Sequence, residues 1–397
     1  MQTKAGDPGA FAHFDLSRVD SPAFVVDAAK LRANCRVLAE VRDAAARDGG
    51  QIKVFAALKA FSMWSAAPII GEYLDGVSTS GLWEARLASE FYDGEIATYS
   101  AAFKPEELEE VCRLSDHVIF NSPFQHERAR LILENAAASG APVSVGLRIN
   151  PQVPTGEVAK YDPSAPGSRL GFPLDQLAEE HLEGVEGIHF HNLCEQDFEP
   201  LKATWDRVFD AIEPFFGQLK WINMGGGHHI TRADYQREEL VEFLRDAAED
   251  TGCEIILEPG EAVALDAGIL VGTLLDTHFN EMPVGITDIS ATCHMPDVLE
   301  APYRPAMLGE LADPEMIPIR LGGPSCLAGD VIGDYRLPVP AEPGARFAFL
   351  DQAHYSMVKT NTFNGVALPS IWLWDSETDA LDCIKRFDYR DFRDRLS

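Results

Sequence analysis

The sequence predicts an α/β fold in which a (β/α)8 TIM-type barrel is joined to a C-terminal all-β domain. Between residues 50 and 260, short β-rich runs alternate with segments of helical period, and eight such strand–helix units suit a closed barrel. After residue 273 the long helical segments end, and glycine and proline become dense. An open, doubly wound sheet is the alternative arrangement for the same alternation.

The predicted barrel strands are short runs rich in β-branched and aromatic residues. In chain order they are Lys53–Lys59, Gly76–Ser80, Glu95–Ala101, His117–Asn121, Ser144–Asn150, Gly187–Asn192, Trp221–Gly227 and Glu254–Gly260. Amphipathic helices are predicted at Leu82–Tyr92, Pro105–Arg113, Pro123–Ala138, Phe198–Phe216 and Arg232–Thr251. The segment Pro151–Glu186 is too long for a plain connection, and we expect it to carry binding residues.

The remaining segments predict the second domain. Pro22–Asp27 is typical of a strand, and we expect this N-terminal strand to join the C-terminal sheet. The β-rich segments after the barrel are Asp276–Thr292, Ile317–Gly322, Arg346–Leu350 and Ala367–Trp374. The predicted boundaries are therefore 28–273 for the barrel, and 1–27 together with 274–397 for the β-domain.

The chain carries a large excess of acidic residues. Of its 397 residues, 63 are Asp or Glu and 33 are Lys or Arg, which gives a formal net charge of −30. Such a surface repels phosphate backbones, which disfavours nucleic acid and anionic membranes as partners and favours a cationic ligand. Solubility, or adaptation to a salty cytoplasm, explains the same charge without any ligand.

The cysteines and the N-terminus indicate a cytoplasmic protein. Seven scattered cysteines without a C-x-x-C pair argue against a disulfide framework or a zinc knuckle. The N-terminus lacks the apolar run of a signal peptide, and no segment approaches the ~20 apolar residues of a membrane span.

Polar residues follow several of the predicted strands at the end where barrels carry their active sites. The first strand ends at Lys59, the sixth at His189 and His191, the seventh at Gly225–Gly227, and the eighth at Glu258. A lysine at this position is either solvated or poised to form a Schiff base. Three glycines form either a tight turn or a backbone cradle for a phosphate.

Lysine and phosphate cradle together suggest pyridoxal 5′-phosphate as the cofactor. Glu258 would face the pyridine nitrogen and keep it protonated, and His191 would stack on the ring. The rival is a metal-dependent barrel hydrolase. His189 and His191 have the two-residue period that places both on one face of a strand, and His228 and His229 follow the next strand. That alternative leaves Lys59 and the glycines without a role, so we expect no metal.

Seven motifs occur together in a specific order. They are ALKA at Lys59, HFHN at His191, MGGG at Gly225–Gly227, LEPG at Glu258, GPSCLAGD at Cys326, and the pair AHYSM and TFNG at Tyr355 and Asn364. Over nearly its whole length, the chain resembles the fold-type III pyridoxal-phosphate-dependent decarboxylases, which include ornithine and diaminopimelate decarboxylases.

The resemblance implies roles for individual residues. Lys59 would carry the cofactor, His191 would stack on it, Gly225, Gly226, Gly227 and Tyr355 would hold its phosphate, and Glu258 would pair with its ring nitrogen. Cys326, from the partner subunit, would protonate the carbon that loses carbon dioxide. An obligate homodimer with shared active sites follows, with the β-domain contributing to the site and to the dimer interface.

Three departures narrow the expected substrate. Glu261 stands where ornithine and diaminopimelate decarboxylases carry an arginine, Leu327 replaces an acid that grips the substrate, and Cys194 replaces a phosphate-binding serine. The sequences around Cys194, Cys293–Pro305 and Gly322–Tyr335 resemble the carboxynorspermidine and carboxyspermidine decarboxylases, the polyamine-pathway branch of the family.

A substrate of that branch carries a cationic tail, which needs acidic partners when buried. The residues predicted to bind the substrate are Arg169, Glu195, His294, Asp297, Glu300 and Asp330. Among the acids we favour Asp330, because it shares a loop with Cys326. The alternatives are a decarboxylase of diaminopimelate, ornithine or arginine, a metal-dependent barrel hydrolase, and a non-catalytic relative that binds the same cofactor.

Overall fold

The fold is given by a computed structural model that describes residues 6–156 and 159–397. The chain forms two units, one of residues Ala33–Val263 and the other of residues up to Arg32 together with Ala264–Ser397. None of the described helices combines the length and the apolar character that a membrane crossing requires.

The strands are named in chain order. They are β1 Ala23–Asp27, β2 Ile52–Ala57, β3 Gly76–Thr79, β4 Glu95–Tyr99, β5 His117–Phe120, β6 Ser144–Asn150, β7 Phe172–Pro173, β8 Gly187–His189, β9 Trp221–Asn223, β10 Glu254–Leu257, β11 Gly268–Asn280, β12 Met282–Thr287, β13 Ile319–Gly322, β14 Val331–Tyr335, β15 Arg346–Leu350, β16 Ser370–Asp375 and β17 Ala380–Lys385.

The α-helices are named in the same way. They are α1 Ala28–Ala45, α2 Ala67–Tyr73, α3 Leu82–Phe91, α4 Pro105–Leu114, α5 Pro123–Ala138, α6 Glu199–Ile212, α7 Arg237–Thr251, α8 Glu261–Ala264, α9 Ala291–His294, α10 Asp297–Glu300 and α11 Tyr389–Arg393. Several begin with proline in the first turn, where its missing N–H costs no hydrogen bond.

The unit Ala33–Val263 contains the predicted barrel. Among the described residues, β2, β3, β4, β5, β6, β8, β9 and β10 pair in parallel in that order, and β10 pairs with β2 to close the ring. The short β7 adds to β6 outside the ring. The closed barrel confirms the predicted fold class, and the open sheet is excluded.

Trp221 fills the barrel interior and requires small neighbours. Its ring packs with Phe55, Ile119 and other buried residues, and its Nε1–H donates to Ser144 Oγ at 2.8 Å. A Cβ atom on Gly187, in the adjacent strand, would lie 2.1 Å from the indole ring. The glycine is therefore required by close packing.

The second unit is built on a sheet that includes the N-terminal strand, as predicted. Strand β1 pairs antiparallel with β11 and parallel with β16, and the order across the sheet is β14-β13-β12-β11-β1-β16-β17, with β15 also on β11. Its core combines aromatic residues from both chain ends, among them Phe11, Phe14, Trp372 and Trp374.

Two differences from the predicted boundaries bear on the site. The predicted domain boundary at residue 273 falls inside β11, because this strand is continuous through Gly268–Asn280 and its first half pairs with β1 and β15. Seven of the eight barrel strands are also shorter than predicted, and β6 has the predicted bounds. Strand β2 ends at Ala57 and β8 at His189, so Lys59 and His191 lie in the turns that follow.

Candidate active site

Lys59 and His191 lie against each other at the carboxyl ends of the barrel strands. Lys59 Nζ is 3.1 Å from His191 Nε2, and His191 Nδ1 accepts a hydrogen bond of 2.9 Å from Gly226 N–H. A neutral imidazole has one acceptor nitrogen and one N–H. With Nδ1 as the acceptor, a neutral His191 carries its proton on Nε2, and the contact then suits Lys59 as a neutral amine that accepts this proton's hydrogen bond.

The surroundings of Lys59 favour this neutral form. The residue is exposed to solvent, yet desolvation of its amine among the strand ends and the charge of Arg148 lower its pKa below the usual 10.5, against an opposing attraction from Glu258. Burial, Lys59 and Arg148 also hold the pKa of His191 well below its usual 6.5. A neutral amine is a nucleophile, so Lys59 is suited to bind a carbonyl group covalently.

The turn after β9 requires glycine at Gly225, Gly226 and Gly227. Gly225 and Gly227 have φ of 68° and 89°, a conformation that favours glycine. At Gly226 a Cβ atom would lie 2.0 Å from the Glu258 carbonyl oxygen, and at Gly227 it would lie 2.0 Å from the Leu193 carbonyl oxygen. The backbone of this turn therefore packs directly on the segments that follow β8 and β10.

Two N–H groups of this turn are engaged within the protein, which corrects the expectation of a bare cradle. Gly225 N–H donates to Asn223 Oδ1 at 2.8 Å, and Gly226 N–H donates to His191 Nδ1. In the described part of the chain, Gly227 N–H has no hydrogen-bond partner. The turn thus offers an anion the N–H of Gly227, while Gly225 and Gly226 orient Asn223 and His191.

Glu258, directly after β10, is held as a carboxylate. Asn223 donates from Nδ2 to Glu258 Oε1 at 2.7 Å, and His189 Nε2 lies 3.5 Å from Oε2. Burial alone would raise the pKa of Glu258, but His189, Asn223 and Lys59 together lower it. A carboxylate of this kind keeps a protonated ring nitrogen beside it in the charged form.

Arg148 is a site residue that sequence reasoning missed. Its guanidinium lies 4.5 Å from the centroid of the Tyr99 ring and donates to the His191 carbonyl at 2.8 Å, and the side chain is only 4% exposed. The signal that could have found it is its position inside the apolar strand SVGLRIN, because a buried arginine needs specific partners. Its charge acts on both Lys59 and His191.

His228 and His229, considered as metal ligands from the sequence, make separate contacts. His228 Nδ1 is 2.6 Å from the Tyr235 hydroxyl, and His229 Nε2 is 3.1 Å from Glu261 Oε1. Burial would lower the pKa of His229, but the hydrogen bond and charge of Glu261 raise it. Glu261, one of the three departures from the expected family pattern, is thus paired with a histidine.

Cys326 lies in the β-sheet unit, on an exposed loop between β13 and β14, and its N–H donates to Asn364 Oδ1 at 2.8 Å. Asp330 closes the same loop but is 4% exposed, and it accepts from the hydroxyls of Ser290 and Ser325 at 2.8 and 2.6 Å. A buried carboxylate saturated by internal donors is not available to a cationic tail. The predicted substrate contact of Asp330 does not fit this geometry.

His294 does not fit its predicted substrate role either. Its side chain is fully buried, its Nε2 is 2.9 Å from the Ala367 carbonyl, and its Nδ1 accepts from Ser290 N–H at 3.2 Å. Burial lowers its pKa to about 4. His294 is therefore a neutral residue that connects chain segments within the sheet unit.

Asp297 and Glu300, on α10, lie beside Lys359. The ammonium is 2.6 Å from Asp297 Oδ1 and 3.9 Å from Glu300 Oε2. A cationic group is thus already bound at these acids, so binding of a substrate cation there would require Lys359 to move. Their role in substrate binding stays a prediction.

No protein-family model matches the chain. Individual relatives do match, over nearly the full length. The carboxynorspermidine/carboxyspermidine decarboxylase of Campylobacter jejuni is 37% identical over 94% of this chain and 98% of its own length. The carboxyaminopropylagmatine decarboxylase of Synechocystis is 36% identical over 96% of both chains. The crystal structure of Campylobacter jejuni carboxynorspermidine decarboxylase complexed with norspermidine superposes with a TM-score of 0.85, covering 95% of this chain and all of that one.

The chain belongs to the carboxynorspermidine/carboxyspermidine decarboxylase family. This confirms the resemblance stated from its motifs and identifies the protein as a carboxy-lyase. A metal-dependent barrel hydrolase is no longer an alternative.

The remaining predicted residues are placed as follows in this family member. Tyr355 has a φ of 47°, and the Lys359 ammonium is 5.8 Å from its ring centroid. Arg169 is exposed in the long segment after β6, where its carbonyl accepts from Asn121 Nδ2 at 2.9 Å. Glu195 is exposed, with a φ of 53°. Their roles toward cofactor and substrate stay predictions.

Proposed function

We propose that this enzyme decarboxylates carboxynorspermidine, carboxyspermidine or both, yielding norspermidine or spermidine in polyamine biosynthesis, with pyridoxal 5′-phosphate as its cofactor. The observation that carries the proposal is the 3.1 Å contact between Lys59 Nζ and His191 Nε2 at the carboxyl ends of the barrel strands, in a chain whose full-length relatives are decarboxylases of such substrates. The seven free cysteines support the cytoplasm as its compartment.

The residues of the barrel mouth fit this cofactor. A neutral amine suits its aldehyde, an unpaired N–H at Gly227 suits its phosphate, and the Glu258 carboxylate suits its ring nitrogen. When bound, pyridoxal phosphate supplies an electron sink for the bond to carbon dioxide.

The protein's own groups then provide binding and charge control. Lys59 would hold the cofactor covalently through its amine, and the neutral His191 would offer a ring face without adding a competing positive charge. Burial and the charge of Arg148 lower the pKa of this lysine. Asn223 and His189 lower the pKa of Glu258, and this carboxylate would keep a cofactor ring nitrogen placed beside it protonated.

We also propose that the enzyme is a homodimer in which Cys326 of the partner subunit delivers a proton to the substrate Cα after carbon dioxide has left. Cys326 is exposed in the single chain, on a loop whose backbone is fixed by Asn364. A thiol is a suitable general acid at this step. The usual pKa of a thiol lies closer to neutral pH than the pKa of other uncharged donors such as hydroxyl groups.

The substrate tail distinguishes the branches of the family. The Synechocystis relative, at similar identity, is a carboxyaminopropylagmatine decarboxylase, so a guanidinium-ended tail is the second candidate. Leu327, 43% exposed next to Cys326, places an apolar side chain where diaminopimelate and ornithine decarboxylases place an acid. This favours a long substrate with methylene groups near Cα over a short diamino acid.

The deciding experiment compares kcat/KM for carboxynorspermidine, carboxyspermidine, carboxyaminopropylagmatine and diaminopimelate with one enzyme preparation. We expect one of the first two to exceed diaminopimelate by at least about 100-fold, since mismatched buried polar groups are costly to leave unpaired. A preference for carboxyaminopropylagmatine would reassign the substrate, and equal use of diaminopimelate would overturn the polyamine branch. Absorbance at ~420 nm that disappears on reduction with borohydride tests the cofactor independently.

A further inference from the structure

The loop that carries Cys326 is fixed by a closed series of hydrogen bonds within the β-sheet unit. Asp330 is at its centre. Its Oδ2 accepts from Ser290 Oγ, Ser325 Oγ and Ser325 N–H at 2.8, 2.6 and 3.4 Å, and its Oδ1 accepts from Thr292 N–H at 3.2 Å. The carboxylate therefore ties the Cys326 loop to the segment at the start of α9.

The same loop is held from its other side. Cys326 N–H donates to Asn364 Oδ1 at 2.8 Å. The segment that contains Asn364 is in turn bound to α9, because Asn361 Nδ2 donates to the Thr292 carbonyl at 2.8 Å and Asn361 N–H donates to the Cys293 carbonyl at 2.9 Å. The contacts close a ring that runs from Asp330 through Thr292 to Asn364 and back to the cysteine.

Gly323 shows how tightly this arrangement is packed. A Cβ atom on Gly323 would lie 2.3 Å from Asp330 Oδ2 and 2.7 Å from Ser290 Cα, and Gly323 N–H donates to the Asp330 carbonyl at 2.9 Å. The loop backbone thus wraps directly around the carboxylate, while Cys326 itself stays exposed. A buried carboxylate whose oxygens all accept hydrogen bonds, such as Asp330, fixes the conformation of the loop backbone. The residue at the tip of the loop, Cys326, remains accessible.

We propose that Asp330 and Asn364 are positioning residues that fix the Cys326 thiol for proton delivery, and that neither contacts the substrate. This inference rests on the proposed role of Cys326. It assigns to Asp330 a function through its neighbours rather than through the cationic tail.

The test uses Asp330→Asn and Asn364→Gly in the holoenzyme. Asparagine keeps the shape of Asp330 but replaces one acceptor oxygen with an amide. Glycine accepts the φ of 58° at Asn364 and removes the side chain whose Oδ1 accepts from Cys326 N–H. Asp20→Asn, which breaks an exposed ion pair with Arg386 in the same unit, is the matched control.

We expect kcat to fall about 10- to 100-fold in both variants, because small displacements of a reacting group have effects of this size. KM should stay within about twofold, since no substrate contact is removed. The control should retain both constants. A raised KM with unchanged kcat in Asp330→Asn would show contact with the substrate tail and overturn the proposal, as would unchanged kcat in both variants.

A second readout does not depend on turnover. The rate at which iodoacetamide alkylates Cys326, followed by mass spectrometry of its peptide, should rise about threefold or more in both variants as the loop loosens. Cys383, partly exposed on β17, is the internal standard and should not change. An unchanged rate at Cys326 contradicts the positioning role.

Two further variants separate the possible failures. If Asp330→Asn does not fold, Ser325→Ala removes one donor to Asp330 and should shift kcat and alkylation in the same direction by a smaller factor. Full turnover by Cys326→Ser would refute the thiol as the proton donor, which is a failure of the proposed function. The alkylation rates would still decide whether Asp330 and Asn364 fix the loop.

Discussion

The two ends of the barrel use charged side chains in opposite ways. At the amino ends of the strands, Lys53 binds Glu95 at 2.5 Å and Glu254 at 3.0 Å, so its charge is matched by carboxylates. At the carboxyl ends, Lys59 lies 3.1 Å from a neutral histidine, His191, with the cation Arg148 nearby.

The contrast sets the pKa values of two lysines on the same strand and turn. Burial would lower the pKa of Lys53, but its hydrogen bonds with Glu95 and Glu254 raise it above 10.5. Burial and Arg148 lower that of Lys59 below the same reference. At the amino ends of the strands, paired charges stabilise the barrel. At the carboxyl ends, the lysine has no carboxylate partner of this kind among the described residues, and this is the end at which barrels carry out chemistry.

The largest effect is expected from exchanging the two lysines for alanine. Lys59→Ala should lower kcat by about 10³-fold or more and remove the absorbance at ~420 nm, because the attachment point of the cofactor is lost. Lys53→Ala should keep kcat but lower the free energy of unfolding by about 1–3 kcal/mol, since Glu95 and Glu254 lose their cation. Steady-state kinetics and urea unfolding of both variants check this. Comparable activity in the two variants would contradict the assignment of catalysis to the carboxyl ends of the strands and of stability to the amino ends.

The two glutamates of β10 and its turn offer a second matched pair. Glu258→Gln should lower kcat about 100-fold, because an amide cannot hold a ring nitrogen protonated, while the hydrogen bond from Asn223 is retained. Glu254→Gln, at the other end of the strand, should change kcat less than about twofold. Kinetics at saturating cofactor distinguish the two. A normal kcat in Glu258→Gln would show that the Glu258 carboxylate is not required for the reaction.

Arg148→Gln sharpens the comparison by removing one charge from the active end. The pKa of Lys59 should rise, because Arg148 lowers it. The midpoint pH for recombination of the cofactor-free protein with pyridoxal phosphate should move upward by up to about one unit. Arg42→Gln, which breaks a pair with Asp75 in the same unit, should leave the midpoint unchanged. An unchanged midpoint in Arg148→Gln would show that Arg148 does not lower the pKa of Lys59.

The smallest effect concerns stability at the amino end. His117 and Lys53 lower the pKa of Glu95 from 4.5 to about 2, although burial alone would raise it. The resulting stabilisation is complete above pH 4.5 and is lost as the pH falls from 4.5 toward 2. Glu95→Gln should therefore lower the free energy of unfolding by about 1 kcal/mol at pH 7, and this difference should shrink at pH 3.5. A difference independent of pH contradicts the ion-pair explanation.

Much of the fold could be predicted from local patterns. The alternation of strands and helices predicted the closed barrel. The apolar run at β1 predicted a strand that pairs within the sheet of the C-terminal part of the chain. Lys59, His191 and Glu258 could be picked out because polar residues directly after apolar strands converge at one end of a barrel.

Roles that depend on distant partners could not be predicted in the same way. Arg148 lies inside β6, and only the closed ring brings Tyr99 and the His191 carbonyl to it. Asp330 is close to Cys326 in sequence, which suggested a substrate contact. Its partners Ser290 and Thr292 come from about forty residues earlier, so its burial is a property of the folded sheet unit alone.

The most direct test of the central claim is the pKa of Lys59 measured beside that of Lys53 in the cofactor-free protein. The pH dependence of trace labelling by acetic anhydride, followed for each lysine peptide by mass spectrometry, provides both values in one experiment. The structure predicts a pKa below 10.5 for Lys59 and above 10.5 for Lys53. A Lys59 pKa at or above that of Lys53 would contradict the neutral amine on which the proposed chemistry depends.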